Sequence, residues 1–265
     1  MAEEPVMLER RGALAILTLN RPGTGNAIDT SLALALKDHV AECEGDAAIR
    51  AVLLRGNGRY FCVGGDVGSF GQAGAAMPGL LLEITASLHD AVSRLARMNK
   101  PLVTEIQGFA AGGGFGLAML GDVVLAGASA QFTLAYTAIG LSPDGGASWL
   151  LPRLVGLRQA QRMLLLNPRL DAQAALELGL ITEVIDDDKL AERALAIAEQ
   201  LALGPTQAIG RIRNLLMSSF TDSLDAHLAR EAHAIALSGG TKDGQAGVAA
   251  FLAKQSPQFT GDDIR

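Results

Sequence analysis

Through its first half the chain alternates short unbroken apolar runs with longer segments of helical period, a pattern that predicts an α/β fold built on a parallel sheet. Ala13 to Leu19 is apolar and β-branched and stops at Asn20-Arg21-Pro22, as a buried strand ended by proline would. A helix capped by Asp29 or Thr30 is expected to run to about Glu44, with Gly45 at its end, before a second strand from Ala51 to Arg55. Such a β-α-β unit implies a right-handed crossover, with ligands gathering at the carboxyl ends of the strands. Next come a glycine-rich loop from Gly68 to Gly79, suited to be a lid, and a helix from Leu80 to Met98. The pattern then gives a strand from Leu102 to Ile106, a helix from Gly112 to Leu120, a strand from Val123 to Ala126, and an edge pairing at Gln131 to Thr133. A turn at Ser142-Pro143-Asp144-Gly145-Gly146 leads into a helix reaching Leu154. From Arg158 onward the pattern is helical, over 158–166, 171–178, 187–203, 205–217, 223–237 and 241–254, with only Ile181 to Val184 reading as a strand.

Composition narrows the classes. With 265 residues, 49% hydrophobic and 19% charged, the chain can bury a substantial core. A net charge of −6 without a run of Lys or Arg argues against nucleic acid or an anionic membrane as partner. Cys43 and Cys62 form no C-x-x-C motif, so neither a disulfide scaffold nor a zinc site is indicated, and a reducing cytoplasm is the expected location. The start, Met-Ala-Glu-Glu-Pro, lacks the features of a secretory signal, and no apolar run has the length of a membrane span.

The candidate chemistry lies in two glycine-rich turns, each following a predicted strand. One is Gly56-Asn-Gly-Arg59-Tyr-Phe-Cys62-Val63-Gly64-Gly65-Asp66; the other runs from Gly108 to Gly116 into a helix. A turn of this kind presents backbone N–H groups without helical partners, beside the positive end of the helix dipole. Close packing of backbones is the alternative reason for so many glycines. The dinucleotide fingerprint fails because Leu117 stands where its third glycine belongs, and no Lys-Ser/Thr follows for a P-loop. Two such turns can instead aim two donors at one carbonyl oxygen, an oxyanion hole in which each donor is worth about 3 kcal/mol of barrier.

Asn20-Arg-Pro with Asn26-Ala27, Phe61 to Asp66, Gly108 to Gly116 and Pro143-Asp144-Gly145-Gly146, in that order, resemble the enoyl-CoA hydratase/isomerase (crotonase) superfamily. The resemblance runs from about Leu14 to Gly261. It implies a crotonase-like ββα spiral core with the acyl-CoA site over 1–200, and a C-terminal all-helical region over 201–265 that assembles trimers or hexamers. It also implies oxyanion donors at the N–H groups of Val63 and Gly113, acyl-CoA contacts at Ala27, Gly65, Asp66, Phe251 and Lys254, and no cofactor or metal beyond the CoA carried by the substrate. The family's hydratases resemble one another in two glutamates that hold a water; the matching positions here are Gly116 and Tyr136. A phenol and a hydrogen cannot accept and return the proton of a water, so syn hydration loses its agents. Asp144 matches the aspartate of isomerising and ring-modifying branches, against the plainer reading of a helix cap. His89 lies twelve residues before Pro101, similar to the histidine of aroyl-CoA dehalogenases, although a surface histidine is the plainer reading. Gly23 replaces the frequent lysine after Asn-Arg-Pro. These features point to an enoyl-CoA isomerase with Asp144 as acid and base; a hydratase, a hydrolase or dehalogenase-like relative, or a non-catalytic acyl-CoA binder are the alternatives.

Overall fold

The computed structural model describes residues 4–261. Strand β1 (Val6–Arg11) turns at Gly12 and pairs antiparallel with β2 (Leu14–Leu19). Every residue of β2 is buried, as its unbroken apolar run requires of a strand covered on both faces. β2, β3 (Ala51–Gly56), β4 (Leu102–Ile106), β6 (Val123–Gly127) and β9 (Glu183–Ile185) then run parallel, giving the order β1-β2-β3-β4-β6-β9. A second sheet joins β5 (Phe109–Ala111), β7 (Gln131–Thr133) and β8 (Leu170–Asp171). Neither β1 nor β5 stands out in the sequence. β1 is an edge strand whose second half, Glu9-Arg10-Arg11, is charged, and β5 is three residues inside a turn that become a strand because β7 pairs with them.

One face of the large sheet is covered by α1 (Thr30–Gly45) and α3 (Met77–Arg97), which pack on each other and share the main core. The other face receives α7 (Leu190–Ala202) through Leu190, Ala194, Ala198 and Ala202, a four-residue stripe against Ile16, Leu53, Val103 and Leu125. The expected glycine loop is instead mostly helical: α2 (Val67–Ala73) is capped by Asp66 and anchored by buried Phe70, and a short turn leads into α3 with Pro78 in its first turn. Glycines there are tolerated because the helix is held by its cap and one aromatic. After α4 (Gly113–Ala118) come the two helices expected to reach Leu154 and to start at Arg158; they follow one another through α5 (Ala147–Leu166) and are separated at Gly156, whose φ of 75° and ψ of 158° are not helical.

The chain continues through α6 (Ala172–Glu177) to α8 (Thr206–Ser218), α9 (Leu224–Gly239) and α10 (Lys242–Leu252). α8 is riveted to the core by Arg213, which donates to the carbonyls of Leu95, Met98 and Lys100 at the end of α3 and pairs with Asp122 at 2.8 Å. Among the described residues no helix is long and apolar enough to cross a membrane.

Both glycine turns leave the carboxyl ends of adjacent strands, β3 and β4. They are stitched together by the Cys62 N–H to Phe109 O (3.1 Å) and the Ala111 N–H to Cys62 O (2.9 Å). Parallel topology therefore brings the two motifs side by side although nearly fifty residues of sequence separate them.

Candidate active site

The first turn is built around Asn26, fully buried with a positive φ of 58°. Its Nδ2 donates to the carbonyls of Asn57, Tyr60 and Phe61 at 2.8–3.0 Å, and its Oδ1 accepts the Arg21 N–H at 2.8 Å. The asparagine of the Asn-Arg-Pro…Asn-Ala motif is thus a brace, holding the loop after β3 in shape. Ala27 beside it is buried and does not line the cavity described below.

The amides of this turn divide their work. Val63 N–H donates to Gly25 O at 3.0 Å, which corrects the expectation that it is an oxyanion donor: its proton is already spent. Ile28 N–H donates to Gly64 O at 2.7 Å, and Asp66 N–H to Ile28 O at 3.0 Å. In extended backbone, successive N–H groups point to opposite sides, so with Gly64 O and Asp66 N–H turned to Ile28, the Gly65 N–H between them points away. That N–H has no acceptor among the described residues, and Gly65 lines the cavity. The donor therefore sits two residues beyond Val63. Gly64 makes the turn possible: its φ is 93°, and a Cβ there would lie 2.8 Å from Ala111 O.

In the second turn Gly112 N–H donates to Thr133 O, and Gly112 O accepts from Phe115 and Gly116, opening α4. Gly113 N–H, at the first position of that helix, has no acceptor among the described residues, as expected for a first-turn amide. Gly65, Gly113 and Asp144 line one cavity of about 320 Å³ whose other walls include Val67, Phe70, Leu81 and Leu141.

Asp144 is not a cap. The N-cap of α5 is Gly146, with no side-chain cap bond, and the Asp144 carboxylate turns towards the second glycine turn. Its Oδ1 accepts the Tyr136 phenol at 2.6 Å and lies 3.4 Å from where a Cβ on Gly113 would be. Tyr136 is 8% exposed; burial, then the neighbouring Asp144 charge, push its phenol well above the ordinary range, so it remains a neutral donor. From behind, His89 on α3 accepts the Gly145 N–H with Nε2 at 3.1 Å, which commits that nitrogen to the loop; His89 does not line the cavity.

Why the two glutamates are missing is visible in the backbone. A Cβ on Gly116 would stand 2.6 Å from Gly145 O, so the Asp144 loop occupies the space that a side chain on this helix would need. The other position is Tyr136, bonded to Asp144. One carboxylate and its loop fill the places of two acids.

The remaining residues divide by location. Asp66 caps α2, accepting the Ser69 N–H at 3.3 Å and hydroxyl at 2.6 Å, so its carboxylate is a helix cap. Phe251 and Lys254 are exposed on and just after α10, away from this chain's cavity. The segment after them folds back to the core, with Arg50 donating to Phe259 O. Cys62 is fully buried, its thiol pushed up to about 12 by burial and donating to Asn26 O; it is inert packing. Sequence reasoning missed Gly65 as the donor and Asn26 as the brace. The first is readable from Gly64, since a positive-φ glycine at a strand end redirects the amide that follows.

Unpaired amides at the ends of two adjacent parallel strands, with a carboxylate across an apolar cavity, define an α/β protein equipped to polarise a carbonyl and move a proton beside it. Residues 9–262 match the enoyl-CoA hydratase/isomerase family model, and the chain belongs to that family. It is 41% identical over 247 residues to the 1,2-epoxyphenylacetyl-CoA isomerase of Escherichia coli K12, covering 92% of this chain and 94% of that protein. It is 32% identical to the 2,3-dehydroadipyl-CoA hydratase of the same organism, covering 97% and 98%. Among solved structures, an enoyl-CoA hydratase from Polaromonas sp. JS666 superposes with a TM-score of 0.91 at 31% identity, over 96% of this chain and 99% of that one. The crotonase fold and an enzyme of the enoyl-CoA hydratase/isomerase type follow.

Proposed function

We propose that the protein is an enoyl-CoA isomerase that moves a carbon–carbon double bond by a single-acid proton shuttle. The observation that carries this reading is the site's inventory: two unpaired amides, Gly65 and Gly113, share a cavity with one carboxylate, Asp144, while both positions for water-holding glutamates are filled by backbone and a phenol. The thioester oxygen of a 3-enoyl-CoA would accept both amides. Asp144 takes an α-proton, and the C–H electron pair passes onto the thioester oxygen as a dienolate held by the two N–H groups. Protonated Asp144 then returns the proton to the γ-carbon, the carbonyl re-forms, and the 2-enoyl product remains. Apolar walls keep water from the dienolate.

The substrate brings its own CoA, so the reading calls for no further cofactor, nucleic acid or membrane, and it fits a cytoplasmic protein. Large apolar side chains exposed on α8 and α9 and between them, including Leu216, Phe220, Leu224 and Leu228, support assembly of the helical third into a trimer or a pair of trimers. In such an assembly Phe251 and Lys254 would serve a neighbouring copy's CoA.

The test is turnover of a panel of enoyl-CoAs in D₂O, read by mass, with Asp144→Asn alongside. Double-bond migration with at most one deuterium taken up and no gain of water is expected, and the variant should lose about 10²- to 10⁴-fold while binding acyl-CoA unchanged. Solvent oxygen in the product would point to the hydratase or hydrolase reading, and an unaffected variant would remove Asp144 from the chemistry.

A further inference from the structure

We propose that Tyr136 is a positioning residue of the shuttle: its phenol occupies Oδ1 of Asp144 and leaves Oδ2 as the one oxygen that takes and returns the proton. This rests on the reading of Asp144 as the acid and base. The O–H···O contact of 2.6 Å is in the short range of charge-assisted bonds, about twice as strong as neutral ones.

The donor is rigidly held. Tyr136 opens a short 3₁₀ turn (Tyr136–Ile139) between Ala135 at φ 57° and Gly140 at φ 73°, its ring is buried, and Leu141 N–H bonds back to its carbonyl at 3.0 Å. The acceptor loop is held from the opposite side by His89 through Gly145. With Tyr136 bonded to the carboxylate and His89 holding its loop, the carboxylate is kept from exchanging its oxygens, so proton removal and return take place from one atom in one position. That is the requirement for a transfer between two carbons of a bound chain with little loss to solvent. A phenol can fill this role because burial and the Asp144 charge keep it protonated.

The experiment is Tyr136→Phe in the full-length protein, read by kcat against KM and by the share of label returned within the substrate during turnover in D₂O. kcat should fall about tenfold with KM little changed, and label returned within the substrate should give way to solvent label. A 3-fluorotyrosine at position 136 in a Tyr60→Phe background, a stronger donor of unchanged shape, should keep the label within the substrate as fully as wild type, which keeps the test open if the phenylalanine variant folds poorly. An unchanged kcat and unchanged label return in Tyr136→Phe, with only thermal stability altered, would overturn the positioning role. If the wild type shifts no double bond, the isomerase reading falls, and the rate of α-proton exchange of a saturated acyl-CoA in D₂O, compared between wild type and Tyr136→Phe, still decides whether Tyr136 acts on Asp144.

Discussion

Gly116→Ala is the smallest change that probes how the Asp144 loop is seated. The new methyl would lie 2.6 Å from Gly145 O, and ordinary contact begins at 3.4 Å, so the loop must retreat by about 0.8 Å. Gly116 has a negative, helical φ, so backbone strain does not enter; alanine even favours the helix by about 0.8–1 kcal/mol. Against this, overpacking of a filled core costs about 1–3 kcal/mol. The balance is a loss near 1 kcal/mol, which for a protein of this size is a fall of about 2–4 °C in Tm by calorimetry. Activity should suffer more than stability. Displacement of a catalytic group by close to 1 Å costs about 10²-fold, so kcat of the isomerisation should fall by that order while KM changes little. A variant that melts higher than wild type and keeps full turnover would refute the reasoning, because the loop would then not depend on the space beside Gly116.

Glu105 offers a pH-dependent prediction. Burial raises its carboxyl above the usual 4.5, against the pull of Arg55, and its Oε2 has no hydrogen-bond partner among the described residues. A folded value above the unfolded one means that the group's stabilising contribution is complete below the unfolded value and is lost as pH rises through the folded one. Glu105→Gln should therefore unfold at a higher temperature than wild type near pH 8 and converge with it near pH 4; a deficit equal at both would contradict this. Light scattering at micromolar concentration should return a mass about three or six times the 27.5 kDa of one chain, and 27.5 kDa itself would count against the assembly proposed for α8 and α9.

The alternating core was legible because its strands are unbroken apolar runs and its helices carry clear period, as in β2 and α7. What escaped depends on partners distant in sequence. β5 exists through its pairing with β7, and the glycine segment after Asp66 becomes helix through one cap and the burial of Phe70. The site was legible at the level of motifs: both glycine turns and Asp144 come together as the chain order suggested. Assigning the amide failed by two residues, because whether Val63 or Gly65 is free depends on Gly25 and Ile28, which approach from another loop. Tyr136 read only as a missing acid, since a hydrogen bond eight residues along a loop leaves no trace in period or composition.

The most direct test of the account is a crystal structure of the protein with a saturated acyl-CoA bound. The thioester oxygen should lie about 3 Å from the amide nitrogens of both Gly65 and Gly113, with Oδ2 of Asp144 over the α-carbon and Val63 N–H still bonded to Gly25. A thioester oxygen resting on other donors, or an acyl chain that passes beyond the reach of Asp144, would contradict it.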